Sequence, residues 1–287
     1  MRRWSTCTWA GSPESTLVIE TKKRSDLRID AAIGAFAGLA SGLLGVGGGF
    51  LIVPLQTLWA GVDQHRATGT SLAAILPIAI VAAATYYFAT GTPQTNLPIA
   101  AALVVGGTAG VVAGTLASRR ISERRLRMFV TILLLVVGLK DVYDAVFGTS
   151  QIVQLPSVGG LGLGMYLLIG ISGFGIGILS GLAGLGGGVF IVPLLVIGFG
   201  LSQRVAQGTS LIAVLPIAAT GAIIHHANDE VNVRAATAIA AAGVPAAVAG
   251  ALLALWAPER ALLGVFGLFL LFAALRMWPR GPATPRA

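Results

Sequence analysis

Long apolar stretches, separated by short polar breaks, run through almost the whole chain. They cover about 30–46, 50–60, 67–89, 97–117 and 128–147, and then about 161–185, 189–199, 206–226, 233–256 and 261–278. Most approach the roughly 20 residues needed to span a hydrocarbon core about 30 Å thick. They are apolar on every face, which suits helices in lipid better than surface helices of a soluble domain. Two are short. Residues 50–60 and 189–199 each give about 16 Å of helix, half a bilayer. The pattern predicts an all-α fold, a polytopic integral membrane helical bundle.

Composition agrees. Hydrophobic residues make up 55% of the chain and charged residues 10%, against roughly 25% charged in a soluble domain. Mean hydropathy is +0.86. Glycine is 39 of 287 residues, about double its usual share, and small residues let helix backbones approach closely in lipid. Gly106, Gly107, Gly110 and Gly114 have that spacing. Cys7 is the single cysteine, so there is no disulfide framework and no cysteine metal site.

The order of stretches repeats. Ser41-Gly-Leu-Leu-Gly45-Val-Gly47-Gly48-Gly49, leading to Pro54, returns 139 residues later as Ser180-Gly-Leu-Ala-Gly184-Leu-Gly186-Gly187-Gly188, leading to Pro193. Three adjacent glycines interrupt a helix. Broken backbone at membrane depth is tolerated where it lies against protein or lines a cavity. A matched pair of such breaks is the sequence pointer to a transporter's binding site. A second signature follows each break: Gly69-Thr70-Ser71 and Gly208-Thr209-Ser210. Pro77 and Pro216 keep the same offset; later it falls to 136, which places a three-residue loss in the loop after 206–226. Such self-similarity marks duplicated structural units.

Positive charge sets the topology. With each glycine break read as the tip of a helical hairpin, and the N-terminus inside, sixteen of the nineteen lysines and arginines lie inside. They are those of the N-terminal tail, Arg66, the five arginines of 119–127, Arg234, Arg276, Arg280 and Arg286. A single broken crossing in place of the hairpin would put the arginines of 119–127 outside, against the positive-inside rule. The expected architecture is two inverted-topology repeats, each with a Gly-rich broken hairpin. Residues 1–28 are expected as a disordered basic cytoplasmic tail. Repeat 1 is 29–148, the linker 149–160, repeat 2 161–279, and 280–287 a cytoplasmic C-terminal tail. The net charge of +8 then reports topology, and no nucleic-acid partner is expected.

The candidate chemistry is anion binding. If Gly69-Thr70-Ser71 and Gly208-Thr209-Ser210 each open a transmembrane helix, their hydroxyls and the free N–H groups there make an anion site without a cationic side chain. The bland reading is capping and Ser/Thr bonding to backbone. No acidic residue lies at the centre of a predicted segment, which argues against a buried cation site or carboxylate relay. Lys140 and Asp141 are expected to pair or to reach the interface. His225 and His226, followed by Asp229 and Glu230, suggest a metal-ion permease as a rival, but Tyr86 and Tyr87 stand at the matching positions, and interfacial anchoring is the simpler reading. A non-transporting scaffold that docks a partner on the 119–127 loop is a third. No Walker loop, nucleophile elbow or HExxH motif is present. No enzyme activity, cofactor or metal is expected.

The duplicated Gly-x-Gly-Gly-Gly-x-x-x-Val-Pro followed by Gly-Thr-Ser-Leu resembles the TauE/SafE family, the 4-toluene sulfonate uptake permeases, over roughly 29–278. The resemblance implies a multi-pass transporter of the bacterial inner membrane, with both termini cytoplasmic. It implies sulfur-containing anions such as sulfite, sulfoacetate or organosulfonates as substrates, often exported. Carried over, the motifs put substrate-binding positions at Gly45, Gly47, Gly48, Gly49, Pro54, Gly69, Thr70 and Ser71, and at Gly184, Gly186, Gly187, Gly188, Pro193, Gly208, Thr209 and Ser210. Thr68 against Gln207 breaks the symmetry. The expected partners are a small anionic substrate and the lipid bilayer, and Gly-rich packing permits a homodimer.

Overall fold

The computed structural model describes residues 26–117, 123–148, 162–183 and 186–277. The expected tails, the linker 149–160, Arg119 and Arg120, and Gly184 lie outside the described residues, apart from 26–28 of the first tail. Among the described residues the chain is helical throughout, with no strand.

The first half contains α1 (Leu27–Leu44), α2 (Gly49–Leu55, running on as a π turn over Gln56–Ala60), α3 (Gln64–Phe88), α4 (Leu97–Ala117) and α5 (Glu123–Phe147). The second contains α6 (Leu163–Ala183), α7 (Gly188–Pro193, running on as a π turn over Leu194–Gly198), α8 (Gln203–Ala227), α9 (Val233–Trp256) and α10 (Glu259–Met277). Six of these, α1, α3, α4, α6, α8 and α9, are long and apolar enough to cross a membrane. The loop from α3 to α4 is three residues longer than that from α8 to α9, which is where the offset changes.

Helix starts lie outside the purely apolar runs, because caps set them. Asp63 accepts a bond from the His65 N–H and starts α3 at Gln64, and Ser202 accepts from Val205 and starts α8 at Gln203. Asn96 and Asn232 cap α4 and α9 through Ile99 and Ala235. Helix α5 begins at Glu123, so 123–127 is helical where the polar pattern predicts loop.

The helices pair across the two halves. Helix α1 lies along α9, and α6 along α4, while α3 packs on α8 and α5 on α10. Glycines set the first two contacts. A Cβ on Gly34, Gly38 or Gly42 would strike the carbonyls of Ile239, Gly243 or Ala247. One on Gly106, Gly110 or Gly114 would strike those of Gly170, Phe174 or Ile178. Without a hydrophobic drive between helices in lipid, this backbone contact is what holds them.

Lys140 pairs with Asp144 at 2.6 Å and not with its neighbour Asp141. Adjacent helix residues point about 100° apart, whereas i and i+4 share a face. Asp30, Asp141 and Asp144 are buried, each within two turns of a helix end.

Candidate functional site

The chain leaves α1 through Gly45, Gly47 and Gly48, at φ 71°, 78° and 78°, and leaves α6 through a turn containing Gly186 and Gly187, at 72° and 80°. This left-handed backbone costs other residues about 1–2 kcal/mol each. It also takes the amides out of the helical ladder. Gly47, Gly48, Gly186 and Gly187 donate no backbone hydrogen bond among the described residues.

The two turns meet. A Cβ on Gly188, the first residue of α7, would overlap the Val46 carbonyl. Gly47 and Gly186 both face Ile75 of α3 and Val214 of α8, with ideal Cβ positions 3.1–3.9 Å from those side chains. Ser41 lies behind Gly48, and Ser180 behind Gly187, at 3.4 and 3.5 Å. Gly45 is pressed on Gln207. Gly49 is buried as the first residue of α2. Pro54 and Pro193 close the short helices ahead of the π turns, and neither contributes a polar side-chain group.

The Gly-Thr-Ser signatures correct one expectation. They do not open α3 and α8 but lie in the second turn, where their N–H groups belong to the helical ladder. The caps Asp63 and Ser202 account for the difference. The three residues also divide their roles. Gly69 admits the Glu230 carbonyl and the His225 side chain, with ideal Cβ distances of 2.8 and 2.9 Å. Gly208 likewise admits the Gln94 carbonyl and Tyr86. The Thr70 hydroxyl accepts from the Asn232 N–H at 3.0 Å, and that of Thr209 from the Asn96 N–H at 2.9 Å. Each threonine therefore clamps the opposite half. The hydroxyls of Ser71 and Ser210 are fully buried and have no partner among the described residues. Four residues before Ile75 and Val214, they share the helix faces that meet the glycine turns.

A family model described as sulfite exporter TauE/SafE matches residues 3–140 and 169–287. The chain belongs to the TauE/SafE family. The match includes nearly all of the polar N-terminal stretch that the motif resemblance left out. Two curated relatives from Xylella fastidiosa, strains Temecula1 and 9a5c, each named "Probable membrane transporter protein", are 33% identical over 95 residues. That is 33% of this chain, which spans about a third (35%) of the length of each relative. No solved structure matches the chain. Family and apolar helices together identify a multi-pass membrane protein of a transporter family.

In this TauE/SafE chain, sequence reasoning missed the polar groups beside the turns. Ser41 is buried with an unpartnered hydroxyl. The buried Tyr86 hydroxyl lies 3.0 Å from both the Gly42 carbonyl and the Gln207 side-chain oxygen. Its single hydrogen serves one of them at a time. Gln207 Nε2 has no partner among the described residues. The signal for Ser41 and Ser180 was present: the repeated motif begins with serine. His225 bonds Glu230, and no group of three metal-ligating side chains forms among the described residues, so the metal reading gains no support.

Proposed function

We propose that the chain is a secondary transporter of small anions, sulfur oxyanions or organosulfonates such as sulfite or sulfoacetate, across the bacterial inner membrane, working as an exporter or facilitator. One observation carries this reading. Four glycine amides without a bond among the described residues lie in turns that face Ile75 and Val214, one helical turn from the Ser71 and Ser210 hydroxyls, which also have no partner among the described residues. The described parts of these turns, and α2, α3, α7 and α8 beside them, contain no acidic residue. Neutral donors in a poorly hydrated site favour an anion and disfavour a cation.

In this reading α1–α2 and α6–α7 are hairpins that each enter and leave on one face, the two from opposite faces, and α5 and α10 span the bilayer as a pair. The exchange of partners between halves, α1 with α9 and α6 with α4, supports an inverted repeat. The positive-inside distribution puts both termini and the 228–232 loop in the cytoplasm. Substrate sits between the hairpin tips, and the halves move against each other to alternate access.

The test is radiolabelled sulfite and sulfoacetate flux in proteoliposomes. Saturable flux in the native protein, lost in Ser71→Ala/Ser210→Ala at unchanged melting temperature, is the expected result. Saturable flux unaffected by that change would sink the site, and no flux of either anion would sink the substrate class.

A further inference from the structure

The duplication places two matching junctions at opposite ends of α3 and α8, and they differ in chemistry. In one, the Gln94 N–H bonds the Tyr86 carbonyl at 3.1 Å; in the other, the Glu230 N–H bonds the His225 carbonyl at 3.0 Å. Each loop then docks on the opposite half, through Gly208 and Thr209 or through Gly69 and Thr70. The backbone is the same, but Tyr and Gln in one junction are His and Glu in the other.

The histidine junction is also more open. Tyr86 is fully buried against Gly42. At the matching place, His225 with Leu72, Ser180, Gly181, Ile217 and Gly221 lines a cavity of about 10 Å³, which is about the space one water requires. His225 Nδ1 is held by Glu230 Oε2 at 2.5 Å, leaving Nε2 free to gain or lose a proton. The Glu230 side chain is 29% exposed and gives the pair access to water.

We propose that the His225–Glu230 pair is a proton-coupling site: His225 Nε2 takes a proton from water on the loop side and, once the halves have moved, releases it through the small cavity beside Ser180 and Gly181 to water on the opposite face, one proton per cycle. The inference rests on the transport reading but not on which anion is carried. Protonated, His225 forms an ion pair that fixes the 228–232 loop, and with it the contacts on Gly69 and Thr70. Neutral, it keeps only a hydrogen bond, and the junction between the halves loosens. Glu230 is the charged group in contact. The other ionisable groups near this end are His226 and Asp229 on the same segment, His65 and Arg66 in the first turn of α3, and Arg234 at the start of α9. Helices α4 and α7 carry none, α6 has only Tyr166 at its far end, and Glu259 of α10 meets Gln203 at the opposite end of α8.

The test converts one junction into the other, with His225→Tyr/Glu230→Gln. Sulfoacetate is the probe, because sulfite itself titrates near neutral pH. In proteoliposomes one coupled proton sustains up to about a tenfold concentration ratio per unit of pH gradient. The native protein should show that ratio; the variant should lose it yet keep exchange at equal pH within about threefold of native. A gradient response retained by the variant would overturn the proposal. If the native protein carries neither sulfoacetate nor sulfite, the anion reading fails; without sulfoacetate flux the proton site is judged without substrate. The difference in melting temperature between native protein and variant should then vary with pH, the two other histidines being common to both. Parallel pH profiles would overturn the proposal.

Discussion

At the residue scale, the three letters of Gly-Thr-Ser have three separable roles, and substitutions should separate them. Thr70→Val leaves the Asn232 N–H without an acceptor, and Thr209→Val does the same to Asn96. An unsatisfied buried donor costs about 1–3 kcal/mol. Thr209→Val, which strands the buried Asn96 N–H, should melt several degrees lower, and Thr70→Val less, because exposed Asn232 can turn to water; serine should restore much of the loss. Ser71→Ala and Ser210→Ala remove hydroxyls that bond nothing among the described residues, so stability should hold while flux falls. Glycine is needed for a different reason in the turns. Gly48→Leu or Gly187→Leu puts a side chain on left-handed backbone beside Ser41 or Ser180. It should abolish transport in protein that still purifies as a folded monodisperse species; unchanged flux would remove the turns from the site.

At the scale of elements, the halves are alike in plan and different in filling. Phe50 and Phe269 pack edge to face at 5.6 Å behind the first glycine turn. Their counterparts by the repeat offsets are Val189 and Leu133, and there a cavity of about 280 Å³ opens among α5, α6 and α7. The smaller pair leaves the space unfilled. Leu133→Phe should fill part of it and stabilise the protein by about 0.5–2 kcal/mol, read as a raised melting temperature; a lowered one would show that the space cannot take the ring. The reverse holds where backbones touch. Gly38→Val or Gly110→Val drives a branched side chain into a facing carbonyl and should prevent folding, because these contacts hold α1 to α9 and α4 to α6.

At the scale of the molecule, the topology is open to a direct test. The proposed inverted repeat would put the 228–232 loop on the cytoplasmic side and the 89–96 loop on the other. In a Cys7→Ser background, Asp229→Cys should react with a membrane-impermeant thiol reagent only in inside-out vesicles, and Thr92→Cys only in right-side-out ones. Labelling of both from one side would refute the inversion. The helix contacts tie the two halves together. Each α1 or α6 finds its close-packed partner in the other half, and each threonine clamp closes on the other half's asparagine.

The apolar stretches, the duplication, the three-residue loss and the glycine spacing on α4 were legible in the chain, because lipid burial and helix length act on local composition. The helix starts at Gln64 and Gln203 were less so; one polar cap outweighs several residues of apolar pattern. The roles within Gly-Thr-Ser were legible only as alternatives, a hydroxyl for substrate or a hydroxyl bonded to backbone, and Thr70 and Thr209 take the second. Thr70 meets its partner 162 residues away, Thr209 113 away, and Tyr86 reaches Gln207 across 121. Hydrogen bonds across such separations leave no periodicity, so only the folded arrangement of the two halves decides which hydroxyl is a clamp and which is free.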